Sequence, residues 1–185
     1  PKVFGTEWLY SIPCEGLPCY LENALEMLDQ PGEWYLDRQT GVLSYWPRVG
    51  EDLTTAEVIA PRVPKTLLAV RGTPDRRVVN LHFKGLRVEH VEWVFPSWGY
   101  LGLAVCTRTH DQGQGQMPGW EFVDAAVEYE HAVSCSFVGG RIAHVGSIGL
   151  CLRRGTAKIA IEGNEIYDTG GNGVAAGYTE NAAYG

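Results

Sequence analysis

Apolar and polar positions alternate along the stretch from Val127 to Ala176, and the alternation repeats. Laying Val127–Gly149 over Cys151–Gly173, a step of 24 residues, places Gly139 on Gly163, Ile142 on Ile166, Gly146 on Gly170 and Gly149 on Gly173. Phe137 falls on Ile161, Cys135 on Ile159 and His144 on Asp168. Short alternating runs are the pattern of strands with one buried face, and glycines that recur between them mark sharp joints where a positive φ is often needed. An offset of 54 extends the match upstream, with Phe83, Gly85, Arg87, Val88, His90 and Val91 meeting Phe137, Gly139, Arg141, Ile142, His144 and Val145. RVEHV, RIAHV and EIYDT are thus one strand and turn seen repeatedly. The additional 30 residues between the first two copies are either one further coil plus a loop or a single long loop, and Asp111–Gly119 (DQGQGQMPG) reads as a protruding loop.

A unit of this length cannot bury its apolar face alone, and stacked copies bury a continuous core. Leucine-rich repeats have a similar period but need a dense leucine pattern that is absent here. The expected fold is all-β: a right-handed single-stranded parallel β-helix, a pectin-lyase-like solenoid, over residues 67–185. The first 66 residues do not repeat. Leu21–Asp29 reads as a short helix stopped at Gln30-Pro31-Gly32, and Glu33–Trp46 as a hairpin turned at Gly41. EVIAP (from Glu57) and LLAVRG (from Leu67) read as two further strands. This part is expected to pack on the solenoid as a cap or side-layer.

The order YLEN, PGEWYLDRQTGVLSYWPRVGEDL, IAP, LLAVRG, then FKGLRVEHVEW, HVGSIG and EGNEIYDTGGNGV resembles the parallel β-helix proteins related to glycoside hydrolase family 141. The PGEWYLD-to-YWP block is the most specific part, since a generic β-helix has no reason to carry it. The resemblance covers nearly the whole chain. It implies a secreted or periplasmic bacterial enzyme acting on plant or algal polysaccharide, and fucosidase and xylanase activities are associated with that family. Fold alone does not give function.

Composition narrows this further. The 23 glycines among 185 residues suit a turn-rich β protein rather than a helical bundle. Net charge is −7, and no block of consecutive Lys and Arg offers a nucleic acid a landing site. No run of apolar residues is long enough to span a membrane as a helix. The chain lacks an initial Met and its last residues continue the style of the repeat, so both ends are read as cut, with any signal peptide lying outside. Of the five cysteines, Cys14 and Cys19 are open to three readings: free thiols, a disulfide or a metal site. Cys135 and Cys151 read as packing residues. No cofactor and no metal ligand set is expected.

Glycoside hydrolysis needs two carboxylates flanking the scissile bond. Neighbouring coils can supply them, because stacked positions lie ~4.8 Å apart. Asp168 is the first candidate: it follows a strand, opens a Gly-Gly-Asn-Gly joint and stacks on His144 and His90 in a ladder of titratable groups. Turn capping is the structural alternative. Glu128 is the second: with Val127 and Tyr129 inward it points outward, beside Cys151 or Arg153 and then Ala175, and small neighbours there leave room for a sugar. An ordinary solvated strand face is the alternative. Asp168, Glu128 and His144 are therefore the candidate catalytic residues. His90, Trp93, Trp98 and Trp120 are candidate sugar-binding residues, since indole rings stack on C–H faces of sugars. Asp111 and Asp124 are weaker acid/base candidates, and Asn164 is expected to bond backbone within its joint. The competing functions are a non-catalytic carbohydrate-binding or adhesin-like β-helix and a polysaccharide lyase or epimerase. A lyase would want clustered acids for Ca²⁺, and no such cluster is evident.

Overall fold

The computed structural model describes residues 24–62, 65–94, 102–103, 107–109 and 120–177. Cys14, Cys19, Cys106, Trp98 and the Asp111–Gly119 loop lie outside them. The chain divides into two compact units, Pro1–Val58 and Ile59–Gly185, each described by itself.

In the first unit the described part of the expected helix, residues 24–29, holds one 3₁₀ turn, Leu25–Met27, whose N-cap Ala24 offers no side-chain cap. A single turn with no cap and an adjacent Pro-Gly cannot propagate. The hairpin forms as expected: β1 (Trp34–Leu36) pairs antiparallel with β2 (Leu43–Tyr45), Trp34 opposite Tyr45 and Leu36 opposite Leu43. Gly41 has φ +74°. Asp37 organises the loop, accepting from the Gln39 amide at 2.8 Å and the Thr40 hydroxyl at 2.7 Å. Trp34 and Trp46 of the hairpin are exposed.

EVIAP forms no strand. Val58 and Ile59 are exposed, and Pro61 removes a ladder donor. LLAVRG does, as β3 (Leu68–Arg71). The chain then makes β4 (Val78–Val79), β5 (His82–Lys84) and β6 (Arg87–Val91). A second round gives β10 (Ala125–Glu130), β11 (Ala132–Val133), β12 (Ser136–Val138) and β13 (Arg141–Val145). A third gives β14 (Ile148–Leu152), a bridge at Ala157, β15 (Ala160–Glu162) and β16 (Glu165–Thr169), after which β17 (Val174–Ala176) begins a fourth. Each round lies beside the one before, and all these pairings are parallel: β3-β10-β14-β17, β4-β11, β5-β12-β15 and β6-β13-β16. This strand order is compatible with a β-helix.

The 54-residue offset holds at Phe83–Phe137 and Val88–Ile142. No extra coil intervenes, because β6 pairs directly with β13. The intervening segment holds a separate antiparallel sheet of β7 (Gly102–Leu103), β8 (Thr107–Thr109) and β9 (Trp120–Phe122). The 24-residue step holds for Phe137–Ile161 and Ile142–Ile166. It fails in the first sheet, where Val127 pairs with Leu150 rather than Cys151. The third coil carries one more residue in the turn around Arg154-Gly155, where Gly155 adopts φ +68°. That residue restores the step before Ala157 pairs with Val133.

Three corners of the coil recur with left-handed backbone. One is Asn80, Ser134 and Lys158 (φ 56°, 54°, 54°). The second is Gly85, Gly139 and Gly163, and the third is His90, His144 and Asp168 (φ 59°, 54°, 49°). Only the second uses glycine. A non-glycine residue in this region costs about 1–2 kcal/mol, which the stacked coils hold in place. Gly149 and Gly173 have no positive φ and serve another need: a Cβ on Gly149 would stand 2.6 Å from the Gly173 carbonyl. Gly149 thereby lets successive coils approach.

The core is made by the inward side chains of the parallel sheets. Val127, Tyr129, Phe137, Ile142 and Leu150 are fully buried, with Phe83, Ile161 and Ile166 packed against them. Each such side chain contributes about 1.5–3 kcal/mol on burial. Asn164 bonds backbone as expected, but that of the preceding coil rather than of its own joint. Its Oδ1 accepts from the Gly140 amide and its Nδ2 donates to the Phe137 carbonyl, both at 2.8 Å, tying the third coil to the second.

Candidate functional site

The residues of β6, β13 and β16 that face away from the core form one chemically dense surface. Strand alternation sets it up: Val88, Ile142 and Ile166 turn inward, so Arg87, Arg141 and Glu165 stand outward in lateral register, as do Glu89, Ala143 and Tyr167. His90, His144 and Asp168 follow at the left-handed corner and are skipped by the ladder pairing, which resumes at Val91, Val145 and Thr169. Asp168 lies within β16 rather than after a strand.

The expected ladder is present. The rings of His90 and His144 stack with centroids 4.9 Å apart and 11° between their planes. His144 Nδ1 lies 2.6 Å from Asp168 Oδ2. The carboxylate accepts, so Nδ1 carries the proton and Nε2 is left with a lone pair when the ring is neutral. Both side chains are open to solvent, 44% and 69% exposed. Such a dyad can accept a proton at Nε2 or present a carboxylate to a bound molecule.

Tyr167, Arg141, Glu165 and Glu89 complete the surface, and sequence reasoning missed them. The Tyr167 ring meets His144 edge-on at 5.7 Å and lies 5.9 Å from the Arg141 guanidinium, above the buried Ala143. Arg141 donates to Glu165 at 2.8 Å and comes within 4.0 Å of Glu89. Their signal was available. The alignment of RVEHV, RIAHV and EIYDT that found the histidine ladder also aligns these outward positions.

Glu128 does not stand on an open face. It is 1% exposed. Its Oε1 accepts from Arg153 at 2.5 Å and from the Ala125 amide at 3.1 Å, and its Oε2 from Arg71 at 2.8 Å. Its lateral neighbour Cys151 lies in a second apolar cluster with Val123, Ala125, Ile148 and Ala175, so the outward side of this sheet is covered too. Burial pushes the Glu128 carboxyl up. Hydrogen bonds from Arg153 and Arg71, the Arg153 charge and the Ala125 amide outweigh that, holding the group below its ordinary value of 4.5. A general acid needs the opposite shift. The alternation correctly placed Glu128 opposite Val127, but much of the cover over that face comes from residues distant in sequence, Arg71 and Arg153 among them.

Trp93 is half-buried and packs against the same second cluster, so it is no open platform for a sugar. Trp120 is the first residue of β9. Asp124 lends its backbone carbonyl to the Ser147 hydroxyl. Among the described residues no His, Cys, Asp and Glu side chains gather in a group that can hold a metal ion, and no helix is long and apolar enough to cross a membrane.

Comparison with known families places residues 10–48 on the model of the GH141 insertion domain. This span contains the PGEWYLD-to-YWP block and the β1–β2 hairpin. The chain resembles family 141 glycoside hydrolases. A solved structure described as a glycoside hydrolase agrees: it superposes with a TM-score of 0.75 at 31% identity, over 87% of this chain. The chain spans 30% of the length of that solved protein. No curated protein matches.

Proposed function

We propose that this chain is part of a glycoside hydrolase built on a right-handed parallel β-helix of the pectin-lyase type, and that it cleaves plant or algal polysaccharide outside the cytoplasm. The observation that carries this reading is the Asp168–His144–His90 corner, with Asp168 and His144 exposed on a surface that also offers an aromatic ring and two further carboxylates. The resemblance to family 141 supports the chemistry. A polymer too large to enter a cell supports the location.

In this reading Asp168 acts directly on the glycosidic bond or its attacking water, and His144 orients the carboxylate through Nδ1. Glu89 is the partner. It stands two strand spacings from β16, ~9.6 Å between backbones, a spacing nearer the ~6.5–9.5 Å between carboxyl groups of inverting enzymes than the ~5–5.5 Å of retaining ones. Asp168's neighbour one coil below is His144, so that stacked position provides no carboxylate at the shorter retaining distance. Tyr167 gives the sugar ring a surface to stack on. A histidine rather than a carboxylate at that position favours the second reading, a carbohydrate-binding β-helix without catalysis.

The test is release of reducing ends from xylans, fucosylated glycans and pectic polymers by the full-length protein, with Asp168→Asn, Glu89→Gln and His144→Gln compared with the parent. Loss of a proton-transferring group is expected to cost about 10²–10⁴-fold. Activity in the Asp168→Asn variant within a factor of two of the parent would sink this site assignment. Binding of a glycan with no release from any of them would favour the second reading.

A further inference from the structure

Sequence reading found no basic block, yet the coil gathers basic residues that the sequence separates. Residues 71–88 carry Arg71, Arg76, Arg77, Lys84 and Arg87 against the single acid Asp75, in a chain of net charge −7. Arg71 is committed to Glu128. Lys84 and Arg87 are exposed and carry no ion pair among the described residues, and they flank the Gly85 corner. Phe83 and Val88 face the core, so His82, Lys84 and Arg87 face outward with His90 beyond them. From His82 to His90 this arc measures ~26 Å along the strand path. Glu89 is its only acid.

The sign of charge then reverses along the stack. Lys84 lies in register with Val138 and then Glu162, and Arg87 with Arg141 and then Glu165. At the next corner His90 and His144 give way to Asp168. An anionic chain lying on this face is attracted by the first coil and repelled by the third.

We infer that the outward arc from His82 to His90 binds a polysaccharide bearing carboxylate or sulfate groups, and that the unit delivered to Asp168 is an uncharged sugar. This rests on the proposed site but extends it. The first coil recognises the charged part of the polymer, and the acidic third coil excludes charge from the reacting unit. The two cations also stand on strands at the edge of their sheets, where Lys and Arg commonly guard against edge-to-edge pairing, so the test must separate the two roles.

The experiment is native affinity electrophoresis of the full chain through gels containing polygalacturonate, carrageenan or neutral hydroxyethyl cellulose, with size-exclusion chromatography alongside. Retardation by a charged polymer, none by the neutral one, and loss of retardation at high salt are expected. Polygalacturonate and carrageenan distinguish carboxylate from sulfate. Lys84→Gln/Arg87→Gln removes two cations, each able to form one exposed ion pair with the polymer, and should weaken retardation by about 2- to 30-fold, while Arg38→Gln, in the first unit, should not. Equal retardation by the neutral polymer overturns the proposal, as does none by either charged one. A double variant that binds like the parent but self-associates also overturns it, because the cations are then edge guards. None of these readouts requires catalysis, so failure of the strip and failure of the hydrolase reading are separable.

Discussion

Replacing Glu128 tests whether this acid holds the coils together or does chemistry. The carboxylate joins Arg71 of the first coil, its own second coil and Arg153 of the third. Arg71 is 55% exposed, and that half of the network contributes about 0–1 kcal/mol. Arg153 is only 16% exposed, and Glu128 is fully enclosed. Glu128→Leu therefore leaves a guanidinium largely desolvated, with the Val123 carbonyl at 3.1 Å among its remaining acceptors. Removing one partner of a buried pair costs about 3–5 kcal/mol, whereas replacing both by apolar groups is often close to neutral. Glu128→Leu/Arg153→Leu should thus recover much of what Glu128→Leu loses. Urea unfolding followed by circular dichroism at pH 7 measures all three proteins. The pH dependence has a definite sign. The folded-state carboxyl lies below 4.5, so its contribution is present above that value and is lost as pH falls through the folded pKa. The parent's stability should decline there more steeply than that of Glu128→Gln. Two results would refute the reasoning: Glu128→Leu within 0.5 kcal/mol of the parent (about the spread of an ordinary surface substitution), or a double variant no more stable than the single one. A Glu128→Gln protein of full stability and no glycan cleavage would return this residue to the catalytic list.

Other outcomes follow from the same geometry. Gly149→Ala forces a methyl against the Gly173 carbonyl at 2.6 Å and should destabilise by about 1–3 kcal/mol, read from the urea midpoint. Asn164→Ala leaves the Gly140 amide without its side-chain acceptor and should cost about 1–3 kcal/mol, with faster hydrogen exchange at Gly140 itself. Burial pushes the Cys151 thiol up to about 11, so iodoacetamide at pH 8 should label it only after denaturation, and rapid labelling of the native protein would contradict the packing described.

Much of the site was legible because strand alternation and stacking are local rules. His90, His144 and Asp168 align by counting residues, and the structure brings them into contact as a stacked pair and a hydrogen bond. Tyr167 and Arg141 were equally countable, but their significance rests on a ring and a guanidinium meeting across coils, which no spacing reports. The corners were half legible. Glycine marks one of the three, while asparagine, serine, lysine, histidine and aspartate hold the others in the same left-handed backbone under the constraint of the neighbouring coils.

The sequence by itself determined the repeat, the strands of RVEHV, RIAHV and EIYDT, their parallel partners, and the hairpin around Asp37 and Gly41. These depend on side-chain alternation, turn chemistry and step length, all of which act over a few residues or one coil. Tertiary structure alone decided that the first sheet steps by 23 residues from Val127 to Leu150, that the outward side of that sheet is covered, and that Glu128 is therefore an internal anchor. Burial is a property of what lies overhead. The atoms over Glu128 come from Arg71, Arg153 and a second apolar cluster, brought together only by the winding of the chain.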